Sequence, residues 1–244
     1  MIEIESLTKK FDGVIVPAID NINLHIKEGE FCVVLGSNGS GKSTLFKLIS
    51  KEYEPSAGSV KICTDVAHVT QNTDIGTIPD MTLLENIALS IIRKPKFQFY
   101  SYYRKFIEEQ IESLGIGLEK FIDQPLRSLS GGQKQIIAVL MSLMSNSKIL
   151  LLDEHTSALD PKIQFFLMQY TFEQVAKLGL TTLMITHKLE DAIQYGDRLI
   201  MLSRGKIVVD LDRKAKQKLQ ISDLLDLFHL YDDKSLLEGV SNEY

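Results

Sequence analysis

The stretch Phe31-Cys32-Val33-Val34-Leu35-Gly36-Ser37-Asn38-Gly39-Ser40-Gly41-Lys42-Ser43-Thr44 decides how the rest of this chain is read. Five apolar residues in a row mark a strand buried on both faces, as in a parallel sheet. Gly36, Gly39 and Gly41 then let the backbone curl so that successive N–H groups point inward at an anion. A helix from Lys42 to about Ser50 is expected next, and it adds the positive end of its dipole to the same place. This is the spacing of a phosphate-binding loop. Lys42 is expected to bridge the β- and γ-phosphates of a nucleotide and the Ser43 hydroxyl to ligate Mg²⁺. Ser37, Asn38, Ser40 and Thr44 complete the cradle.

A nucleotide held there needs a second set of groups, and Ile149-Leu150-Leu151-Leu152-Asp153-Glu154 supplies it. Another buried strand delivers two carboxylates at its end. Asp153 is placed to hold Mg²⁺ through water, and Glu154 to polarise an attacking water. Alone, such a strand end could simply begin a turn; beside a phosphate loop the catalytic reading prevails. A third string, Leu129-Ser130-Gly131-Gly132-Gln133, reads as a helix start with Ser130 as its cap. A glycine-flanked serine at a helix start is also an anion site, and it has no phosphate of its own.

Around these strings the chain alternates strand and helix. Strands are expected at Thr181–Ile185 and Arg198–Leu202, and helices at Gln133–Met144, Pro161–Leu178 and Leu189–Tyr195. Alternating polarity at Ile2–Glu5 and Ile22–Ile26 predicts half-buried strands near the N-terminus, and Ser59–Val69 one or two more. Between Thr73 and Ser128 apolar residues recur at helical spacing, in Leu83, Leu84, Ile87, Ala88 and Ile91 and again in Phe106, Ile107, Ile111 and Leu114. The expected fold is therefore α/β. It combines a phosphate-loop core sheet, an antiparallel β subdomain and a helical subdomain inserted at about 73–145, with an extension at about 212–244.

Composition narrows the function. The 244 residues are 44% hydrophobic and 24% charged, an ordinary globular balance. A net charge of −5 argues against a general grip on nucleic acid. Two cysteines, Cys32 in an apolar run and Cys63, make no disulfide framework and fit a reducing compartment. The acidic start at Glu3 and Glu5 is unlike a signal peptide, and no apolar run approaches the length that spans a bilayer. Any membrane role is thus expected to come through a partner.

Phosphate loop, LSGGQ and LLLDE, in this order, resemble the ATP-binding-cassette (ABC) family over about Ile2 to Leu211. The resemblance implies ATP and Mg²⁺ as cofactors and a homodimer in the ATP-bound state. In that dimer Ser130, Gly131, Gly132 and Gln133 close over the partner's nucleotide. It places Phe11 where the family stacks an aromatic ring on adenine. It makes Gln71 a catalytic sensor of metal and water that links to a membrane partner, and His187 a switch residue at the γ-phosphate. Ser157-Ala158-Leu159-Asp160 matches the family's dimer-contact loop. Closer likeness, in Asp153–Lys162 and Thr181–His187, is to a bacterial import ATPase subgroup, and it implies amino acids, aromatic ones such as tryptophan among them, as the solutes. That subgroup works beside an integral-membrane permease and a periplasmic or lipoprotein solute-binding protein. The implied location is cytoplasmic, peripheral on the inner face of the plasma membrane, with no nucleic-acid partner. An export or lipoprotein-release ATPase is the alternative, and a nucleic-acid-associated ABC ATPase a more distant one.

Some features stand outside this pattern. His155 replaces the proline usual after the glutamate, and a histidine beside a carboxylate is expected to titrate near pH 7. Ile136 and Met141 replace two arginines usual after the signature. The run Arg93–Lys105 holds five basic residues, no acid and several aromatics. It reads as a helix connector, as a surface for a membrane or permease, or as a binder of single-stranded nucleic acid. Leu224–Leu230 is expected to form a helix packed on its own domain.

Overall fold

The computed structural model describes residues 1–72, 75–91, 100–157 and 159–240, without the side chains of 100–102 and 232–240. In chain order the strands are β1 (Ile2–Lys9), β2 (Ile19–Ile26), β3 (Phe31–Leu35), β4 (Ala57–Ile62), β5 (Val66–Val69), β6 (Ile149–Asp153), β7 (Thr181–Ile185), β8 (Arg198–Ser203) and β9 (Lys206–Leu211). The helices are α1 (Lys42–Ile49), α2 (Leu83–Ile91), α3 (Tyr100–Glu112), α4 (Gly131–Met144), α5 (Pro161–Leu178), α6 (Leu189–Gln194), α7 (Arg213–Lys216) and α8 (Ile221–Val240). Ala158 and residues 93–99 of the basic run lie outside the described residues.

Two sheets result. The larger has the order β5-β6-β7-β3-β8-β9, parallel throughout except for the β8–β9 hairpin. The smaller is antiparallel, in the order β2-β1-β4. The run Phe31–Leu35 is apolar throughout because both its faces are covered. Cys32 and Val34 join one core with α1 and the small sheet, built on Ile2, Ile22, Leu45 and Phe46. Phe31, Val33 and Leu35 join the other core, with the apolar stripes of α2 to α5. Every residue of β3 and β7 is buried. The expected α/β class holds, and the helices α2, α3 and α4 pack together beside β5.

One expectation about the strands needs refinement. Ser59–Val69 forms two strands, but they part company: β4 pairs with β1 in the small sheet, and β5 pairs with β6 at the edge of the large one. The chain crosses between layers within Cys63–Asp65. As a result the site segment after β5 leaves the same sheet as those after β3, β6 and β7.

Candidate functional site

In a parallel sheet, binding crevices open outside the carboxyl ends of the strands. Here β3 ends at Leu35 and runs into Gly36, β6 ends at Asp153 beside Glu154, and β7 ends at Ile185 just before His187. The register sets them level: Val34 and Asp153 both pair with Ile185. β5 ends at Val69, two residues before the exposed Gln71.

The loop after β3 is shaped to hold something. Gly36 stands at φ 149 and Gly41 at φ 107. A β-carbon at Gly36 would lie 2.3 Å from the Leu202 carbonyl oxygen, and one at Gly41 2.5 Å from that of Ala18. No side chain caps α1 at Gly41, so its first N–H groups stay free for an anion. Ser40 Oγ is buried in the same loop with no hydrogen-bond partner in the protein. Lys42 is buried and its Nζ donates to the carbonyls of Gly36 and Ser37, each at 2.9 Å. Burial pushes its pKa down, and the nearby Glu154 and Asp153 partly restore it. A free helix end, an orphaned hydroxyl and a loop-held ammonium fit a polyphosphate.

Asp153 carries the opposite electrostatics. Burial and the neighbouring Glu154 raise its pKa, while His68, the Ser43 hydroxyl and Lys42 oppose the rise. A half-buried carboxylate that is costly to ionise alone, set against a serine hydroxyl, is the hard-oxygen donor set that suits Mg²⁺. Glu154 adopts φ 49, a left-handed backbone that a side chain disfavours. Its N–H donates to the Ile185 carbonyl at 3.2 Å, and His187 Nε2 stands 2.6 Å from its Oε1. The two residues therefore meet directly.

His155 corrects the expectation of a histidine titrating near neutrality. It is 1% exposed, and burial pushes its pKa down to about 4. At pH 7 it is a neutral interior side chain, lining a cavity together with Gln164 and Met168 of α5.

Ser130 is the cap of α4, in a full capping box. Its Oγ accepts from Gln133 N at 3.3 Å while Gln133 Oε1 accepts from Ser130 N at 2.9 Å. Ser130 and Gly131 are exposed, and an open groove of about 410 Å³ separates this helix start from Asp160 and Ile163. A β-carbon on Gly132 would lie 2.9 Å from Leu159 Cδ2, so the glycine keeps room for the segment before α5. Phe11 is 37% exposed and sits edge-on to Tyr53, centroids 5.4 Å apart, with Lys9 Nζ near both rings. Tyr53 was not singled out from the sequence, because no motif marks it. Its place follows from the tie between Tyr53 N and the Lys47 carbonyl at the end of α1.

Residues 19–157 match the family profile described as "ABC transporter". The chain is 36% identical to the tyrosine transport ATP-binding protein of Clostridioides difficile strain R20291, over 93% of this chain and 98% of that protein. It is 32% identical to the methionine import ATP-binding protein MetN of Haemophilus influenzae strain 86-028NP, over 99% of this chain and 75% of that protein. Among solved structures, a dimeric post-hydrolysis ATP-binding cassette bound to ADP and Pi superposes with a TM-score of 0.77. The identity is 30%, with 87% of this chain and 99% of that chain covered.

Proposed function

This chain belongs to the ABC transporter family and is its ATP-hydrolysing part; from there we propose that it drives the import of an amino acid through a separate permease. The observation that supports this most is convergence. Lys42, Asp153, Glu154 and His187 come from three adjacent parallel strands and meet at one edge of the sheet. Likeness along nearly the whole length of a tyrosine transport ATP-binding protein supports the solute class.

In this reading the curled loop and the free start of α1 bind the phosphates, and Lys42 turns from its loop carbonyls to the β- and γ-oxygens. Phe11 gives the adenine a flat apolar wall. Ser43, Asp153 and Gln71 would hold Mg²⁺, which would neutralise charge growing on the phosphate oxygens. Glu154 leaves His187 to orient the attacking water, and His187 turns to the γ-phosphate. Ser130, Gly131, Gly132 and Gln133 of a second copy close over the same nucleotide, so the ATP-bound state is a homodimer. Gln71 sits where the sheet passes into the helices α2 to α4, and we place the permease contact there. A solute-binding protein outside the membrane completes the system, and the chain works on the cytoplasmic face. Among the described residues no helix is long and apolar enough to cross a membrane.

Glu154→Gln tests the chemistry. The amide keeps the shape and removes the carboxylate that orients water. Steady-state hydrolysis should fall about a hundredfold or more while ATP binding persists. The variant should collect as an ATP-bound dimer in gel filtration. Near-normal turnover would overturn the role of Glu154. Uptake of radiolabelled tyrosine and methionine, in cells with and without the chain, tests the import reading; uptake of both unchanged by its loss rejects this solute class.

A further inference from the structure

Glu154 and His187 touch, yet they follow different strands, β6 and β7, and in the proposed cycle they part when nucleotide binds. Behind them lies a cavity of about 160 Å³ walled by His155, Thr156, Gln164, Thr186 and Lys188. One side chain crosses it. Gln164, in the first turns of α5, is only 8% exposed. Its Nε2 donates to Thr156 Oγ1 at 3.1 Å, and its Oε1 accepts from Lys188 Nζ. Thr156 is two residues after Glu154, and Lys188 directly follows His187. Both ends of one buried carboxamide are thus spent on the two segments that carry the hydrolytic pair.

We propose that Gln164 is a positioning residue for hydrolysis: it ties the loop after Glu154 to the segment of His187 and keeps both in one frame. The proposal rests on the assignment of Glu154 and His187 made above. Three facts favour a tie over simple packing. Lys188 is an exposed, flexible cation, yet it turns inward onto Gln164 at a cost in rotamer freedom. The carboxamide sits beside Met168 and Met184, where a methionine or leucine would fill the space without needing partners. Glu154 holds a disfavoured backbone angle, so the loop that follows it has to be held.

Chemistry supplies the control. Gln164→Leu keeps a similar bulk, one atom shorter in reach, and loses both bonds. Gln164→Glu keeps them, because the Thr156 hydroxyl turns from acceptor to donor and Lys188 pairs with the carboxylate. The purified full chain is assayed for steady-state ATP hydrolysis, for binding of a fluorescent ATP analogue and for thermal stability. Gln164→Leu should lower kcat about tenfold with KM within about twofold, and Gln164→Glu should regain kcat to within about threefold of the parent. In a His187→Ala background, Gln164→Leu should cause little further loss. An unchanged kcat in Gln164→Leu overturns the proposal. So does a Gln164→Glu variant as slow as the leucine variant, or a fully additive effect with His187→Ala. Glu154→Gln is run alongside: if it turns over, the underlying assignment has failed, whereas a dead Glu154→Gln beside a normal Gln164→Leu removes only the role of Gln164.

Discussion

Glu154 reaches the end of β6 through a φ of 49 and is followed at once by a histidine that never meets solvent. Strain at a non-glycine residue costs about 1–2 kcal/mol and persists only where the surroundings hold it. The surroundings here are the Ile185 carbonyl, which takes the Glu154 N–H, and the interior that encloses His155. His155 then makes stability depend on pH. Its pKa falls from 6.5 to about 4 on folding, so between these values the unfolded chain binds more protons than the folded one. Stability is therefore full above about pH 6.5 and falls as pH drops towards 4, by up to about 3 kcal/mol. Urea titrations of the Mg²⁺-free protein at pH 7.5 and about pH 4.5 should show this loss, with a much shallower loss in His155→Phe. Equal pH slopes in the two proteins would reject the buried neutral histidine. At this scale the sequence was legible where chemistry follows from a run of neighbours. Lys42, Ser43, Asp153 and Glu154 lie inside their own motifs. Gln164 and Lys188 are 24 positions apart and meet only because β6 and β7 pair in parallel. No local pattern announces that.

Helix ends divide into two kinds. α1 begins without a side-chain cap, whereas α4, α5 and α7 are capped by Ser130, Asp160 and Asp212. α6 also begins without one, at Lys188, so the missing cap alone does not mark a site; at α1 it coincides with the curled loop after β3. At the far end of the chain, α7 is pinned by Lys216. Its buried Nζ donates to the carbonyls of Tyr195 and Gly196, just past α6. Burial pushes the pKa of this ammonium down to about 8, so it still carries its proton at pH 7. Lys216→Met should leave both carbonyls without their donor and cost about 2 kcal/mol in urea unfolding, with KM for ATP unchanged. A variant as stable as the parent would show the pin to be idle. Apolar runs and periodicity made most elements legible, the strand Phe31–Leu35 by its run and the helix Pro161–Leu178 by its spacing. The separation of β4 from β5 was not legible, because three polar or small residues between two short strands look the same whether the strands pair or part. Partner choice there is decided by the layers on either side.

In the proposed function the two helix starts, at Lys42 and at Ser130, do different work. In the proposed dimer each nucleotide needs Lys42 from one copy and Ser130 from the other. Ser130→Arg should keep nucleotide binding and lose hydrolysis, since a long cation blocks closure over the γ-phosphate. Lys42→Ala should lose binding at its own site. Mixed in equal amounts, the two inactive proteins form dimers with one intact composite site. Activity should then reappear at about a quarter of the parent rate if pairing is random and sites act independently. A mixture as silent as its parts would argue against sites shared between copies. The whole-molecule architecture was legible as an α/β order of motifs; the level alignment of the strand ends, which makes those motifs one site, came only with the register of the large sheet.

That alignment leaves the opposite edge of the sheet bare of nucleotide chemistry. The turn at Glu28-Gly29 enters β3 from that side, is exposed, and is anchored by Gly29 N donating to Thr181 Oγ1. A cysteine at Glu28 in a chain with Cys63 replaced by serine would carry a fluorophore remote from the phosphate loop. It would also allow oriented tethering to a sensor surface with the nucleotide edge facing outward. Real-time recording of ATP binding and dimer closure thus becomes practical without disturbing the residues being watched.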